Sequence, residues 1–313
     1  MTKNKLTIAL LSGGNSSERM VSLKSGDEVY RHLDPEKYSV IRYDPKTDLS
    51  QLIDDADKID MALIIMHGPN GEDGTIQGLL DLLNIPYQGS GVLASALSMD
   101  KYMSKKMYTM AGLPVPNFEM LYHNQSFDIQ SFIEKLHFPI VIKPAKSGSS
   151  IGMSIVDNPL DLSKGIEDAF RYDKTILLEE YITGIEITGG VIGNDTLDAL
   201  PIVEIVPNPQ YQFFNYEAKY QQGATQEICP ARIDNSMTKR AKEYAILAHQ
   251  TLGCRGYSRT DMIIQDNQIY VLETNTIPGM TTTSLLPQAA NVFGLSFPKL
   301  LDRLIELGLQ NQS

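Results

Sequence analysis

The chain has 313 residues, which is enough for about two typical domains, with three small ones as the alternative. Hydrophobic residues make up 42% and charged residues 21%, so wholesale disorder, collagen and disulfide-scaffold classes are excluded. The net charge of −11 argues against nucleic acid or an anionic membrane as the main partner, although it leaves room for a local basic pocket.

The two cysteines, Cys229 and Cys254, show neither a metal-binding nor a disulfide spacing. No apolar run approaches the length that spans a bilayer, and the run at 6–11 is too short for a signal peptide. We therefore expect a cytoplasmic protein that binds neither membranes nor nucleic acid.

The N-terminal part alternates predicted strands with predicted helices. Such alternation predicts a parallel sheet covered by helices. Two of these strands end in polar, glycine-rich loops, at 12–18 and at 67–74. Because ligands bind beyond the carboxyl ends of parallel strands, both loops are predicted to lie at a binding site. The predicted strands lie at 6–11, 40–43 and 61–66, and the helices at 17–33 and 75–84.

A single long helix is predicted at 90–111, ended by Gly112 and by two prolines shortly after it. We expect a boundary near residue 98. The second unit has predicted strands at 139–143, 153–156 and 175–180, a glycine and serine loop at 147–152, and a helix after Pro159.

From residue 185 onward the pattern becomes rich in strands. The segment 206–225 fits neither period and is predicted to be a long loop rich in aromatic residues, of a length typical of functional lids or disordered segments. The fold class is therefore α/β, becoming α+β in the C-terminal part, with units at 1–98, 99–183 and 184–313. Strands are predicted at 185–192, 199–205, 257–264 and 268–275, and helices at 236–252 and 295–309.

Lys143 ends a predicted strand and precedes the small-residue loop at 147–152. The backbone amides of such a loop can hold phosphate oxygens. The alternative is a flexible turn beside a solvated lysine, and this segment alone does not decide between the two. A Walker sequence is absent from the chain.

Four polar side chains alternate on two neighbouring predicted strands: Arg259 and Asp261 on one, Glu273 and Asn275 on the next. If the strands pair, two carboxylates and an amide oxygen converge on one face, which suits magnesium. The alternative is a charged face of an edge hairpin. The apolar residues that follow Asp261 favour the metal, because unpaired charge is costly where a face is partly buried.

Ser284 precedes a predicted helix start, and its ordinary interpretation is an N-cap. A helix N-terminus also binds carboxylates and phosphates through its free amides. Gly279 would allow a reacting oxyanion to approach the backbone closely.

An ordered set of motifs in this chain resembles the D-alanine–D-alanine ligases, which are ATP-grasp enzymes. The resemblance covers the chain from residue 6 to about residue 300. The motifs are LLSGGNSSERMVSLKSG, HGPNGEDGTIQG, GSGVLASALSMDK, VIKPAKSGSSIG, LLEEYITGIEIT, YEAKY, GYSRTD and LETNTIPGMTTTSLLPQAA.

The resemblance implies an N-terminal parallel-sheet domain that precedes a two-lobed ATP-grasp fold. It implies a homodimer that joins two D-alanines through an acyl phosphate for peptidoglycan precursor synthesis. ATP is the implied co-substrate, and Mg²⁺, with Mn²⁺ as a substitute, is the implied cofactor.

The resemblance also assigns roles to residues. ATP would contact Lys101, Lys143, Ser147, Gly148, Ser149, Ser150, Glu179, Glu180, Tyr181, Ile182 and Glu186. The metal would bind Asp261, Glu273 and Asn275, and the two D-alanines would contact Glu18, His67, Arg259, Gly279, Ser284 and Leu285. The implied catalytic residues are Glu18, Ser149, Tyr220, Arg259 and Lys219.

Within these roles, Glu18 would receive the first ammonium group in a triad with Ser149 and Tyr220. Arg259 would stabilise the tetrahedral oxyanion, and Lys219 would reach the γ-phosphate when the lid closes. For His67 the alternative is a histidine that only satisfies a strand end.

Three other functions compete with this interpretation. One is a ligase that makes D-alanyl-D-lactate or D-alanyl-D-serine. A second is another carboxylate–amine ATP-grasp ligase, and a third is a nucleotide-binding regulatory module. The YEAKY motif favours the dipeptide, and an oxyanion arginine is not needed by a module that only binds.

Overall fold

The structure is a computed structural model that describes residues 5–146, 148, 151–208 and 225–310. The described strands are β1 (Leu6–Ser12), β2 (Tyr38–Tyr43), β3 (Met61–Ile65), β4 (Phe118–Tyr122), β5 (Ile140–Pro144), β6 (Ser154–Val156), β7 (Thr175–Glu180), β8 (Ile185–Gly193), β9 (Leu197–Ala199), β10 (Val203–Pro207), β11 (Thr225–Ile228), β12 (Gly256–Gln265) and β13 (Gln268–Asn275). The described α-helices are α1 (Arg19–His32), α2 (Leu49–Asp54), α3 (Thr75–Leu82), α4 (Val92–Met99), α5 (Lys101–Met110), α6 (Ile129–Leu136), α7 (Pro159–Ala169), α8 (Asn235–Thr251), α9 (Leu285–Phe293) and α10 (Phe297–Leu309).

The N-terminal sheet is parallel and has the strand order β2-β1-β3. Its central strand is apolar on both faces, and Ile8 and Leu11 are fully buried. Strands buried on both faces are typical of parallel sheets covered by helices. The parallel sheet that the sequence predicts is therefore confirmed, and the loops after β1 and β3 leave the same edge of it.

The predicted long helix at 90–111 is wrong, because two helices, α4 and α5, occupy this segment. They are separated at Asp100, whose backbone is extended. Its carboxylate accepts hydrogen bonds from the amides of Tyr102 and Met103, each at 3.1 Å, and so caps α5. The break makes Lys101 the first residue of a new helix.

The central sheet is antiparallel, with the order β4-β7-β5-β6. Helices α6 and α7 cover one face of it around a core that includes Ile142, Leu162 and Ile176. The sequence interpretation missed β4 and α6. Strand β4 is a short edge strand that is mostly half-buried, so its apolar pattern is weak.

The C-terminal sheet has the order β11-β10-β8-β12-β13, and β9 pairs with β8. The predicted strand at 199–205 is split, since β9 ends at Ala199 and β10 begins at Val203. Pro201 lies in the gap, where it removes a backbone donor. Strands β12 and β13 pair as the sequence predicts, through a tight turn in which Asp266 and Asn267 both have positive φ.

The predicted closing helix at 295–309 is confirmed as α10, and α9, whose start was expected after Ser284, precedes it. Helix α9 ends at Gly294, which has a φ of 102°, and α10 then packs on the N-terminal core. No helix among the described residues is long and apolar enough to cross a membrane.

Candidate active site

A cavity of about 760 Å³ lies where the loops of the N-terminal sheet meet strands β12 and β13. It brings together residues that the sequence interpretation took from distant motifs. The predicted residues that line it are Glu18, His67, Lys101, Gly148, Arg259, Glu273, Asn275, Gly279, Ser284 and Leu285.

The paired strands β12 and β13 place the predicted metal ligands side by side. In their register Asp261 lies opposite Glu273, and Arg259 lies opposite Asn275. A register irregularity follows directly after Asp261. The convergence of two carboxylates and an amide, predicted from alternation alone, is therefore present.

Asp261 is 6% exposed and is held by hydrogen bonds from three side chains. Arg259 donates to both of its oxygens, at 2.9 and 2.7 Å. Thr188 donates to Oδ1 at 2.6 Å, and Asn275 donates to Oδ2 at 3.2 Å. A buried charge that is paired and hydrogen-bonded in this way is fixed in position, so the carboxylate is preorganised.

The donor set at this point fits magnesium. Among the described residues no group of three or more His, Cys, Asp and Glu side chains is arranged as a metal site. Asp261, Glu273 and Asn275 instead offer two carboxylates and one amide, which matches an ion that takes its remaining ligands from phosphate and water. Lys101 Nζ lies 3.7 Å from Glu273 Oε2, so a cation already neighbours one of the ligands.

Glu179 lies between two lysines in the interior. Its carboxylate is 2.7 Å from Lys105 Nζ and 2.5 Å from Lys143 Nζ, and the side chains of Glu179 and Lys105 are almost fully buried. Burial alone would raise the pKa of Glu179, but the two ammonium groups outweigh it and hold the pKa below its ordinary value. Burial lowers the pKa of Lys105, and the negative charge of Glu179 opposes that shift.

Lys143 keeps its charge in this arrangement. Burial would lower its pKa, but Glu179 raises it above the ordinary value, and Glu186 acts in the same direction. The predicted phosphate ligand is therefore a cation that is held in place by a carboxylate.

The side chains of residues 179–182, which are predicted to contact ATP, lie in different environments. Glu180 accepts a hydrogen bond from the Asn117 side chain at 2.8 Å and does not line the main cavity. Tyr181 donates its amide to Pro139, and Ile182 is buried. The hydrogen bond of Glu180 therefore indicates a structural role for its side chain. Glu179 instead belongs to the cluster that it forms with Lys105 and Lys143, called the lysine cluster below.

Glu18 stands at the start of α1 and is 4% exposed. A Cβ atom on Gly68 would lie 2.7 Å from its Oε2, and a Cβ atom on Gly148 would lie 2.8 Å from the same oxygen. Only glycine leaves room for the carboxylate at these two positions. Gly68 has a φ of 73°, which also favours glycine.

His67 follows β3 and is 6% exposed. Burial lowers its pKa, and its ring is hydrogen-bonded to the backbone of Ile277. Its Nε2 atom is buried and has no hydrogen-bond partner among the described residues. One ring nitrogen of His67 is therefore unsatisfied among the described residues, whereas the ring is also hydrogen-bonded to the backbone.

The N-terminus of α9 opens into the cavity. Ser284 occupies the N-cap position but makes no capping hydrogen bond. Its hydroxyl instead accepts from the Thr281 amide at 3.1 Å and lies 2.8 Å from the Thr281 hydroxyl. Ser284 is therefore the N-cap residue by position but not through a side-chain hydrogen bond, and the first amides of α9 do not bond to its hydroxyl.

A second cavity, of about 880 Å³, lies against β6 and α7. Tyr181 lines it, but none of the predicted lysines or metal ligands does. Glu18, Lys101, Arg259 and Glu273 line the first cavity.

Several predicted site residues lie outside the part of the chain that the structure describes. They are Ser147, Ser149, Ser150, Lys219 and Tyr220, together with residues 209–224 of the predicted lid.

Two residues of this region were missed by the sequence interpretation, Lys105 and Thr188. Lys105 follows Lys101 by four residues on α5, and this spacing puts both on one helix face. That spacing is a signal that the sequence offered. Thr188 carried no such signal, since its role depends on the pairing of β8 with β12.

Comparison with known proteins identifies the family. A family model described as the D-ala D-ala ligase C-terminus matches residues 107–306, and the corresponding N-terminal model matches residues 44–90. A D-alanine–D-alanine ligase from Syntrophobacter fumaroxidans is 58% identical over 311 residues, which cover 99% of this chain and 100% of the relative. The chain belongs to the D-alanine–D-alanine ligase family.

Solved structures of family members share the fold. A crystal structure of the ligase from Bacillus anthracis complexed with ATP has a TM-score of 0.86 and 35% identity, covering 97% of this chain and 98% of that one. The VanG D-Ala:D-Ser ligase from Enterococcus faecalis has a TM-score of 0.85 and 33% identity, covering 97% and 100%. The pre-ATP-grasp and ATP-grasp architecture expected from the sequence is thereby confirmed.

The lysine cluster gives a test within this family fold. We expect Lys105→Met to lower the free energy of unfolding by about 3 kcal/mol, because removing one partner leaves Glu179 buried with a single cation. Urea unfolding measures the loss.

The matched control is Lys106→Met, one residue further along α5. Lys106 is exposed and contacts only the rings of Tyr102 and Phe118, so its loss costs less than about 1 kcal/mol. Equal stability of the two variants would contradict the proposed importance of the cluster.

Proposed function

We propose that this protein joins two D-alanines to D-alanyl-D-alanine at the expense of ATP, through an acyl phosphate. The observation that carries the proposal is the single cavity lined by Lys101, Glu273, Arg259, Glu18 and the α9 N-terminus. A carboxylate is a poor acyl donor, so the reaction needs cations for the phosphates and a second pocket for the incoming amine.

The nucleotide phosphates would lie against Lys101 and Lys143. Asp261, Glu273 and Asn275 would hold Mg²⁺, or Mn²⁺ in its place. Magnesium, when bound, supplies charge neutralisation on the phosphate oxygens. The pairing supports this role because Glu179 raises the pKa of Lys143 and so favours its charged form before ATP arrives.

The first D-alanine would place its ammonium group on Glu18 and its carboxylate toward Arg259. Arg259 is oriented by its two hydrogen bonds to Asp261, so its charge is fixed near the acyl carbon before the tetrahedral oxyanion forms. The second D-alanine would place its carboxylate on the α9 N-terminus, beside Ser284, Leu285 and Gly279.

We propose the roles of the remaining residues from the resemblance to the family. Ser149 and Tyr220 would complete a triad with Glu18, and Lys219 would reach the γ-phosphate when residues 206–225 close. Closure would exclude water, which otherwise hydrolyses the acyl phosphate. We further propose three units at 1–98, 99–183 and 184–313, a homodimer, and a cytoplasmic location.

The competing product is D-alanyl-D-serine or D-alanyl-D-lactate. The VanG D-Ala:D-Ser ligase is 33% identical to this chain, whereas the relative from Syntrophobacter fumaroxidans, a D-alanine–D-alanine ligase, is 58% identical. The difference in identity supports the dipeptide of two D-alanines.

An ATP-turnover assay tests the proposal directly. With Mg²⁺ present, we expect ADP and phosphate release to depend on D-alanine, and to be far weaker when D-serine, D-lactate or L-alanine replaces it. Coupled detection of ADP measures this. ATP binding without any stimulation by D-alanine would refute the ligase function.

The metal ligands give a second test. We expect Asp261→Asn and Glu273→Gln each to lower kcat by about 100-fold, since several kcal/mol of charge stabilisation depend on them. Glu273→Gln should also raise the Mg²⁺ concentration that gives half-maximal rate.

The control variant is Asp198→Asn, which makes the same change at an exposed position of the same sheet. It should leave kcat and the Mg²⁺ requirement unchanged. Wild-type rates in Asp261→Asn and Glu273→Gln would remove the metal assignment.

A further inference from the structure

Glu72 is a carboxylate in the main cavity that the steps above do not use. It belongs to the glycine-rich loop after β3 and lines the cavity together with Glu18, His67 and Arg259. The two carboxylates flank one residue, Gly68. The Gly68 amide donates to Glu72 Oε2 at 2.6 Å, and its Cα approaches Glu18.

Only one oxygen of Glu72 is used within the described structure. Oε2 is bonded to the loop backbone, and Oε1 accepts no hydrogen bond from any described residue. One oxygen therefore fixes the side chain while the other is left for a ligand in the cavity.

The proposed reaction needs a proton acceptor within the cavity that would hold both amino acids. The second D-alanine arrives as an ammonium ion, and nitrogen can attack the acyl phosphate only after it has lost a proton. An acceptor works best when its pKa lies near the pH of the reaction.

We propose that Glu72 is the group that accepts this proton, an inference that rests on the proposed ligase function. A proton passes from the ammonium nitrogen to Oε1 of ionised Glu72, and the freed electron pair forms the bond to the acyl carbon. The carbon–oxygen bond to phosphate then breaks. The phosphate leaves with that electron pair and takes the second proton of the nitrogen, and Glu72 afterwards releases its proton to water.

The surroundings of Glu72 support this role. Burial and the negative charge of Glu18 raise the pKa of Glu72 to about 8, against the Gly68 hydrogen bond and Arg259, which lower it. Glu273 on β13 acts in the raising direction. The carboxyl group therefore gains and loses a proton near neutral pH.

The other ionisable groups around Glu72 do not compete in that range. Burial lowers the pKa of His67, so its ring is neutral. Burial also raises the pKa of Tyr257 on β12, with Glu72 adding to the shift, so the phenol keeps its proton.

The variant Glu72→Gln separates proton transfer from loop support. The side-chain oxygen of glutamine still accepts the hydrogen bond from the Gly68 amide, so the loop stays supported. The side-chain amide of glutamine, however, cannot take up a proton. The acyl phosphate is trapped in parallel with hydroxylamine, a nucleophile that is largely uncharged at neutral pH and needs no acceptor. Formation of D-alanyl hydroxamate thus reports nucleotide binding and phosphorylation, and dipeptide formation reports the complete reaction.

We expect Glu72→Gln to form hydroxamate at the wild-type rate and to form dipeptide about 100-fold more slowly, the usual contribution of general base catalysis. The wild-type rate of dipeptide formation should rise with pH through the ionisation of Glu72. In the variant, that rise should move to the higher pH at which the D-alanine amine itself loses its proton. Wild-type products from both reactions establish the ligase activity independently of the variant.

Asp73→Asn is the matched control, because Asp73 braces the same loop through the amides of Asn70 and Thr75 and does not line the cavity. It should leave both products and the pH profile unchanged. Dipeptide formation by Glu72→Gln at the wild-type rate with the wild-type pH profile would overturn the proposal. An equal loss of hydroxamate and dipeptide would also overturn it, since that result means that Glu72 only supports the loop.

Discussion

Charge that is buried away from water has to be paired, and this requirement organises the whole cleft. Glu179 lies in the interior between Lys105 and Lys143, and Asp261 accepts from three side chains. Each pairing also fixes a group that the chemistry needs. A phosphate that recruits Lys143 leaves Glu179 still paired with Lys105, so the cation can change partner without leaving a buried carboxylate alone.

The fold forms the main cavity by combining two kinds of sheet. The parallel N-terminal sheet sends the loops after β1 and β3 to one edge, where they present Glu18 and His67. The antiparallel C-terminal sheet presents alternate residues of β12 and β13 on one face. Helix α5, which begins at Lys101, contacts β13 and so brings Lys101 beside the proposed metal ligand Glu273.

Much of this arrangement was predictable from the sequence, because it depends on local patterns. Alternation predicted that Asp261, Glu273 and Asn275 converge if their two strands pair, and the structure shows that pairing. The parallel sheet followed from the alternation of strands and helices.

The rest depends on contacts between distant segments, which no local pattern contains. The break at Asp100 divides the predicted helix into two. The Asp100 side chain caps α5, and this local hydrogen bonding interrupts a helix that the apolar pattern alone would continue. The partners of Glu179 come from α5 and β5, and those of Asp261 include Thr188 on β8. The hydrogen bonds of His67 and Ser284 likewise could not be predicted from the sequence.

The central claim is that one cavity holds the nucleotide phosphates, the metal and both amino acids. Crystals grown with ATP and Mn²⁺ test it most directly, since anomalous scattering locates manganese without ambiguity. The account predicts a manganese peak among Asp261, Glu273 and Asn275, with phosphate density against Lys101 and Lys143. Nucleotide density confined to the cavity between β6 and α7, with no manganese at Asp261, would contradict it.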